Sequence, residues 1–433
     1  MNVSTEVERG FVTPAICRKA AAPASTPSAE LNSYPFFSYR IWYGMRVSAW
    51  LSLLARNRFA VSPNRIIFCL RGCICSLVNS SLNIVQRLIF GKRIRNCVLD
   101  APPIFIIGHW RTGTTLLHEL LTLDQRFIAP TTMECFAPAV CLVFGRVLRW
   151  LSFMLPANRP MDNMPVGWDR PQEDEFALMN LGLGSPYETM VFPNHRTPLH
   201  PYLNMTELSA DEIRAWRTGF LGFLQQVNLR SKREEERLGS RPRRIVLKSP
   251  THTARLRILR EMFPKAQFIH LVRDPCEVFS STVRLWRGLF STQGCQKPQF
   301  EGGADGPCAI EEYVLEKMNL LYRDFFAEAA KIPAGNFCEL RYEDLVRDPA
   351  AEISRIYQQF GLGPFEPIRS QLEGHLRESG SYKANRHRVS DEQRAQVSRR
   401  WGWYMERFGY QAAVKPAADR TPIRQIAPQA IAA

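Results

Sequence analysis

The run PPIFIIGHWRTGTTLLHELL, residues 102–121, decides the fold. Its first part is short, wholly apolar and ends in Gly108, as a strand covered on both faces of a parallel sheet must be. Its last part carries apolar residues at helical spacing. Between them Gly108 and Gly113 enclose four residues, as in the phosphate-binding loop G-x-x-x-x-G-K-[ST]. Strand, glycine loop and helix form the order in which such a loop works, because the first N–H groups of the helix point at the bound anion. Where the nucleotide motif has Lys, this chain has Thr114, followed by Thr115, and the loop's cation is Arg111. Arg111, Thr112, Gly113, Thr114 and Thr115 are therefore candidate anion-binding residues.

Further strand candidates follow: IVLKSP (245–250), AQFIHLVRDP (266–275) and NFCELRYEDL (336–345). The second runs into a helix with Asp274 as N-cap, Pro275 in the first turn and Glu277 as the reciprocal acid of a capping box. Asp348-Pro349 opens another helix through about Phe360, and Thr251 to Met262 reads as a helix. Residues 288–309, with five glycines, read as a loop. Strands alternating with helices predict an α/β fold: a parallel sheet like that of the P-loop NTPases, flanked by helices, with ligands at the strand C-terminal ends. Residues 34–98, rich in Arg and aromatics, form a helical N-terminal addition to a catalytic domain at 99–412. The expected tails are 1–33, disordered and without the apolar core of a secretory signal, and 413–433.

The chain has 433 residues with 56 basic against 41 acidic, a formal charge of +15, which suits an anionic partner. Its basic residues are spread out and no nucleic-acid-binding signature occurs, so no nucleic-acid partner is expected. The 11 cysteines and 8 histidines match no metal-ligand spacing, so no metal is expected and the thiols read as reduced. Between Ile66 and Ile89 a greasy run is interrupted by Arg71, Asn79, Asn83, Gln86 and Arg87. Its apolar stripe (Ile66, Leu70, Cys73/Ile74, Leu77, Val85, Leu88) predicts an amphipathic helix packed on the core rather than a membrane span. Peripheral membrane contact through 66–95, with Arg65, Lys92, Arg93 and Arg95, is the alternative.

The usual acidic magnesium ligand is missing, because Asp274 is explained as a helix cap. A sulfuryl group carries less negative charge than a phosphoryl group and can be transferred on cationic side chains alone. FIIGHWRTGTTLLHELL (105–121) together with FIHLVRDPCEVFSSTVR (268–284) resembles the PAPS-dependent sulfotransferase family, PAPS being 3′-phosphoadenosine 5′-phosphosulfate. LKSP, RYEDL and YMERFGY are similar to its bacterial and tyrosine-protein branches, and the resemblance covers about residues 102 to 410. It implies a transferase with PAPS as cosubstrate and no metal; with no secretory signal and no clean span, the enzyme is expected in the cytoplasm, in contact with a membrane if 66–95 binds one. The first loop would bind the 5′-phosphosulfate, with Arg111 at the leaving oxygen. Arg273 and Ser281, with Arg284 one turn on, would bind the 3′-phosphate. Lys383 and Arg386 in SGSYKANRHR (379–388) are further candidates for that phosphate.

Lys248, ending its strand in VLKSP, resembles the family's active-site lysine. For the base that takes the acceptor proton, Glu134 ranks first, by similarity to a Glu of the tyrosine-protein branch at a different spacing. His252, four residues after Lys248, ranks second, and Glu173 of PQEDEF third. The acceptor is a small molecule, lipid or glycan; a hydrophobic pocket lined by 136–156 and Trp168 would favour a lipid. Two rivals stand beside this reading. One is a kinase-like phosphoryl transferase on the same loop; the other is a non-catalytic basic protein of the membrane surface.

Overall fold

The structure is a computed structural model and describes residues 34–411 apart from 157, 160–163, 198–199, 240, 303–306 and 379–388. The two expected tails, and Lys383 and Arg386, lie outside the described residues. The chain opens with α1 (Val47–Arg56) and α2 (Ile66–Arg95), then β1 (Ile104–Gly108), α3 (Thr114–Leu121), β2 (Phe127–Ile128), α4 (Thr132–Phe136) and α5 (Cys141–Trp150). Next come α6 (Asp174–Leu181), α7 (Pro201–Asn204), α8 (Ala210–Leu238), β3 (Arg244–Lys248), α9 (Leu256–Met262), β4 (Gln267–Val272) and α10 (Pro275–Gln293). The remainder is α11 (Ile310–Tyr322), α12 (Phe325–Ala329), β5 (Phe337–Arg341), α13 (Tyr342–Arg347), α14 (Pro349–Phe360), α15 (Glu366–Glu378) and α16 (Asp391–Phe408).

The five strands are parallel, in the order β2-β3-β1-β4-β5. Strand alternation explains why β1 is apolar throughout: Phe105 and Ile107 pack into the larger core, while Ile104 and Ile106 pack into a second core with Leu117 and Leu120 of α3. Strand β4 repeats the division, with Phe268 and Val272 on one face and Ile269 and Leu271 on the other. Because the chain leaves β1 toward β2 on one side and leaves β4 toward β5 on the other, the loop after β1 sits where strand order reverses. That is where open α/β sheets hold ligands.

Several expectations change. The pair β2 was not legible, being two residues long. Residues 250–255 form a 3₁₀ turn before α9 begins at Leu256. Helix α10 continues to Gln293 and buries Gly288, so the start of the expected loop at 288–309 is helix. Asp274 caps α10 as expected, accepting from the N–H groups of Cys276 and Glu277 at 2.9 and 3.0 Å. Glu277, however, forms no capping box: it turns toward Arg273, and the Asp274 N–H donates to Glu343 instead.

The N-terminal helices are sewn into the larger core through Trp42 and Trp50, stacked at 4.7 Å. Gly72 of α2 permits this, since a Cβ there would sit 2.5 Å from Trp42. The sense of α2 is the reverse of the expected one. It buries Gly72, Ser76, Asn79 and Gln86 and exposes the apolar stripe meant for the core.

Candidate active site

Gly108 (φ +140°) and Gly113 (φ +95°) frame the loop in conformations that favour glycine. A Cβ on Gly108 would stand 2.5 Å from the Leu271 carbonyl oxygen, and one on Gly113 would enter the Tyr342 ring. Arg111 itself is left-handed (φ +70°), which turns its side chain out of the run of the loop. Thr112 is buried, and both its N–H and its hydroxyl donate to the His109 carbonyl, at 3.3 and 2.8 Å. It therefore fastens the loop from inside, a different task from the ligand contact expected of it. Gly113 caps α3, and Thr114 and Thr115 occupy its first turn, where the helix dipole favours an anion.

The two motifs meet in space. The Arg111 Nε donates to the Ser281 hydroxyl on α10 at 2.8 Å, and the Arg273 guanidinium donates to the Arg111 carbonyl at 3.0 Å. Arg273 lies over the Tyr342 ring, 4.3 Å from its centre, which fixes the guanidinium plane. Arg284 is half-buried, one turn along α10 from Ser281. Two guanidinium groups and a hydroxyl gathered at the sheet's C-terminal edge suit a phosphate well.

On the other side of β1, Lys248 ends β3 beside Ile106, buried to 1% exposure. Its ammonium donates to Glu173 at 2.6 Å. The other Glu173 oxygen accepts from the Tyr187 hydroxyl, and Tyr187 accepts in turn from the indole N–H of Trp110, a loop residue, at 3.0 Å. Burial holds the Lys248 ammonium below the ordinary lysine range, opposed by Glu173. Burial next to Glu173 pushes the Tyr187 hydroxyl well up, so it stays a donor.

Three consecutive acids open α6, and each meets a residue of the segment after β3. Glu173 takes Lys248, Asp174 takes His252 at 2.6 Å, and Glu175 takes Arg255 and the Thr251 hydroxyl. Positions 248, 252 and 255 lie at turn-like spacing, so one helix N-terminus and one strand end close together along their length.

A sulfotransferase family model matches residues 102–367, well over half the chain. The chain belongs to the sulfotransferase family. It is 39% identical over 383 residues to proteins named omega-hydroxy-beta-dihydromenaquinone-9 sulfotransferase Stf3 from Mycobacterium bovis and Mycobacterium tuberculosis, covering 88% of this chain and 94% of theirs. In fold it is similar to the sulfotransferase STF9 of Mycobacterium avium (TM-score 0.60, 17% identity, 85% of this chain and 93% of that one). It is also similar to STF1 of Mycobacterium tuberculosis (TM-score 0.58, 19% identity, 82% and 90%). As a sulfotransferase it moves the sulfuryl group of PAPS to an acceptor hydroxyl or amine and releases adenosine 3′,5′-bisphosphate. The kinase-like and non-catalytic rivals fall away. Among the described residues, no group of three or more His, Cys, Asp or Glu side chains is gathered to hold a metal ion.

Of the three candidates for the base, the structure sets Glu173 against Lys248. Glu134 is buried and committed to other partners: it closes a capping box with Thr131 at the start of α4 and accepts from Arg230 at 2.7 Å. One oxygen caps α4 and the other holds it to α8 through Arg230, so both are engaged. His252 is fully buried between the Phe105 and Phe220 rings and bound to Asp174, so it orients structure rather than facing an acceptor. Glu173, ranked last from sequence, is the acid on Lys248. Trp168 is also core, edge-on to Tyr39, rather than pocket lining. Tyr187 and Trp110 were missed; no local signal marks Tyr187, whereas Trp110 lies inside the loop.

Proposed function

We propose that this sulfotransferase sulfates the hydroxyl of a membrane lipid, an alcohol of the menaquinone-derived kind, with Glu173 as base. The lipid class is supported by the relatives sharing 39% identity over nearly their whole length, whose name specifies such an acceptor. The base assignment rests on one observation, the Lys248–Glu173–Tyr187 arrangement. Arg273, Ser281 and Arg284 would hold the 3′-phosphate, and the α3 N-terminus with Thr114 and Thr115 the 5′-phosphate. Arg111 and Lys248 would supply positive charge at the leaving and sulfuryl oxygens. The acceptor oxygen attacks sulfur in line, its bond to sulfur forming as the bond from sulfur to the phosphate oxygen breaks. The hydroxyl proton passes to Glu173, and the electron pair leaves with adenosine 3′,5′-bisphosphate. We place the reaction on the cytoplasmic side of a membrane.

Glu173→Gln is expected to lower kcat by about 10²–10⁴ while leaving the KM for PAPS nearly unchanged. Turnover is followed by mass spectrometry of an ω-hydroxylated menaquinone in detergent. Near-wild-type kcat would remove Glu173 from the base role, and better turnover of a glycan than of the lipid alcohol would remove the acceptor class. For the nucleotide, Arg273→Ala is expected to weaken adenosine 3′,5′-bisphosphate about 10–100-fold, the value of one charged hydrogen-bonding group. ADP, which lacks the 3′-phosphate, should bind both proteins alike in calorimetry. An equal loss for ADP would mean that Arg273 shapes the loop without reading that phosphate.

A further inference from the structure

Helix α2 is inside-out for a protein in water. Between Phe68 and Phe90, which are buried near its two ends, its buried side is small or polar: the Asn79 amide donates to the carbonyls of Tyr43 and Met45 at 2.7 and 3.1 Å, and the Gln86 amide to Pro138 and Gln226 at 3.2 and 3.1 Å. Its outer side shows Ile74 62%, Leu77 61%, Ile84 61% and Leu88 80% exposed along four turns. Contiguous exposed apolar surface on this scale marks an interaction face. Length and composition alone would let α2 cross a bilayer. Its polar side, committed along its length to the folded domain, rules that out, since Asn79 and Gln86 would lose their partners in hydrocarbon.

Two further observations say what covers this face. Between Tyr34 and Leu99 there are ten basic residues and no acidic one, two thirds of the chain's +15. Four of them, Arg87, Lys92, Arg93 and Arg95, are exposed at the C-terminal end of α2. Helix α5 lies alongside, its Leu142 N–H donating to Gln86 at 2.9 Å, and it ends in Trp150 and Phe153, exposed to 78% and 77%. An apolar face edged by cations, with exposed aromatics beside it, matches the chemistry of an anionic lipid surface: hydrocarbon below, phosphates at the rim. The end of α5 is also linked toward the site. Arg149 of α5 pairs with Asp169 at 2.9 Å, four residues before Glu173, and Arg159, six residues after Phe153, acts electrostatically on Lys248.

We propose that α2 and the α5 end lie in the headgroup layer of an anionic bilayer as a monotopic platform that opens the Glu173–Lys248 site toward the lipid phase. The platform deepens the lipid-acceptor reading and rests on it for its purpose, but its binding is measured without acceptor or PAPS, so each can fail alone. The full chain is sedimented with vesicles of phosphatidylcholine containing phosphatidylglycerol, or of phosphatidylcholine alone. Preferential binding to the anionic vesicles is expected, weakened by salt and reduced at least tenfold in Leu77→Glu/Leu88→Glu. Both residues are exposed, and unchanged binding of adenosine 3′,5′-bisphosphate verifies that the variant is folded. Arg93→Glu/Arg95→Glu should remove the preference for anionic lipid. Equal binding of wild type and the Leu77→Glu/Leu88→Glu variant would overturn the platform. So would absence of vesicle binding with a dimer in solution that the same variant converts to monomer.

Discussion

Lys248→Met is expected to lower kcat about 10²–10³-fold, the value of one preorganised donor at a developing charge, with little change in adenosine 3′,5′-bisphosphate affinity. Methionine matches the lysine stem, so the buried position stays filled, and the loss falls on the transition state rather than on packing. Lys248→Arg should not rescue: at 1% exposure there is no room for a guanidinium, and its fork would displace Glu173. The pH profile carries a second signature. Burial lowers the Lys248 ammonium, so activity requiring the protonated form is present below that pKa and lost as pH rises through it. This alkaline limb should begin below the ordinary lysine range, and Lys248→Met should abolish it. Stopped-flow or steady-state turnover from pH 6 upward reads both effects; a variant within tenfold of wild type at every pH would take Lys248 out of the chemistry.

What the sequence disclosed and what it hid follow from the range of the contacts. The loop was legible because strand, glycines and helix are contiguous, although the groups that exclude a side chain at the glycines, the Leu271 carbonyl and the Tyr342 ring, lie far along the chain. Arg273 and Ser281 were named by the resemblance, and both reach Arg111 because a strand end and the second turn of the next helix have a fixed relation. Glu173 meets Lys248 across 75 residues of chain, and no local period announces that. Glu134 took its place through similarity of position, yet its neighbours Thr131 and Arg230 make it a structural carboxylate. A sharper signal was present in the three acids of PQEDEF set against Lys248, His252 and Arg255, two charge rows that must find partners if buried. Helix α2 shows a different limit. Periodicity establishes that it has two faces, but not which one turns inward; Asn79 and Gln86, placed on the polar side, have buried partners only in the folded domain.

Arg255→Met is expected to destabilise the protein by about 3–5 kcal/mol, because it strands Glu175 in a fully buried place. Arg255 and Glu175 are both at 0% side-chain exposure, and Arg255 also donates to the Tyr202 carbonyl and lies 5.1 Å from the centre of the Trp216 ring. Burial pushes the Glu175 carboxyl up, but Arg255, Ser185 and Thr251 outweigh it and hold the group below the usual carboxylate range. A depressed carboxyl adds stability above its unfolded pKa and loses it as pH falls through the folded one. The gap between wild type and Glu175→Gln in urea unfolding should therefore be largest near neutrality and shrink in acid, below about pH 4. Arg255→Met/Glu175→Leu, which removes both charges, should recover much of the loss, since no ion is left unpaired. Equal destabilisation by the single and double substitutions would mean that packing on Trp216, and not the ion pair, holds the segment after β3 in place. The same pair sets catalysis from a distance: Glu173 and Lys248 are the outermost rung of the ladder that Glu175 and Arg255 close. Loosening the inner rung should then lower kcat in the folded Arg255→Met protein while leaving adenosine 3′,5′-bisphosphate binding intact, because Arg273 and Ser281 stand on β4 and α10, outside the ladder.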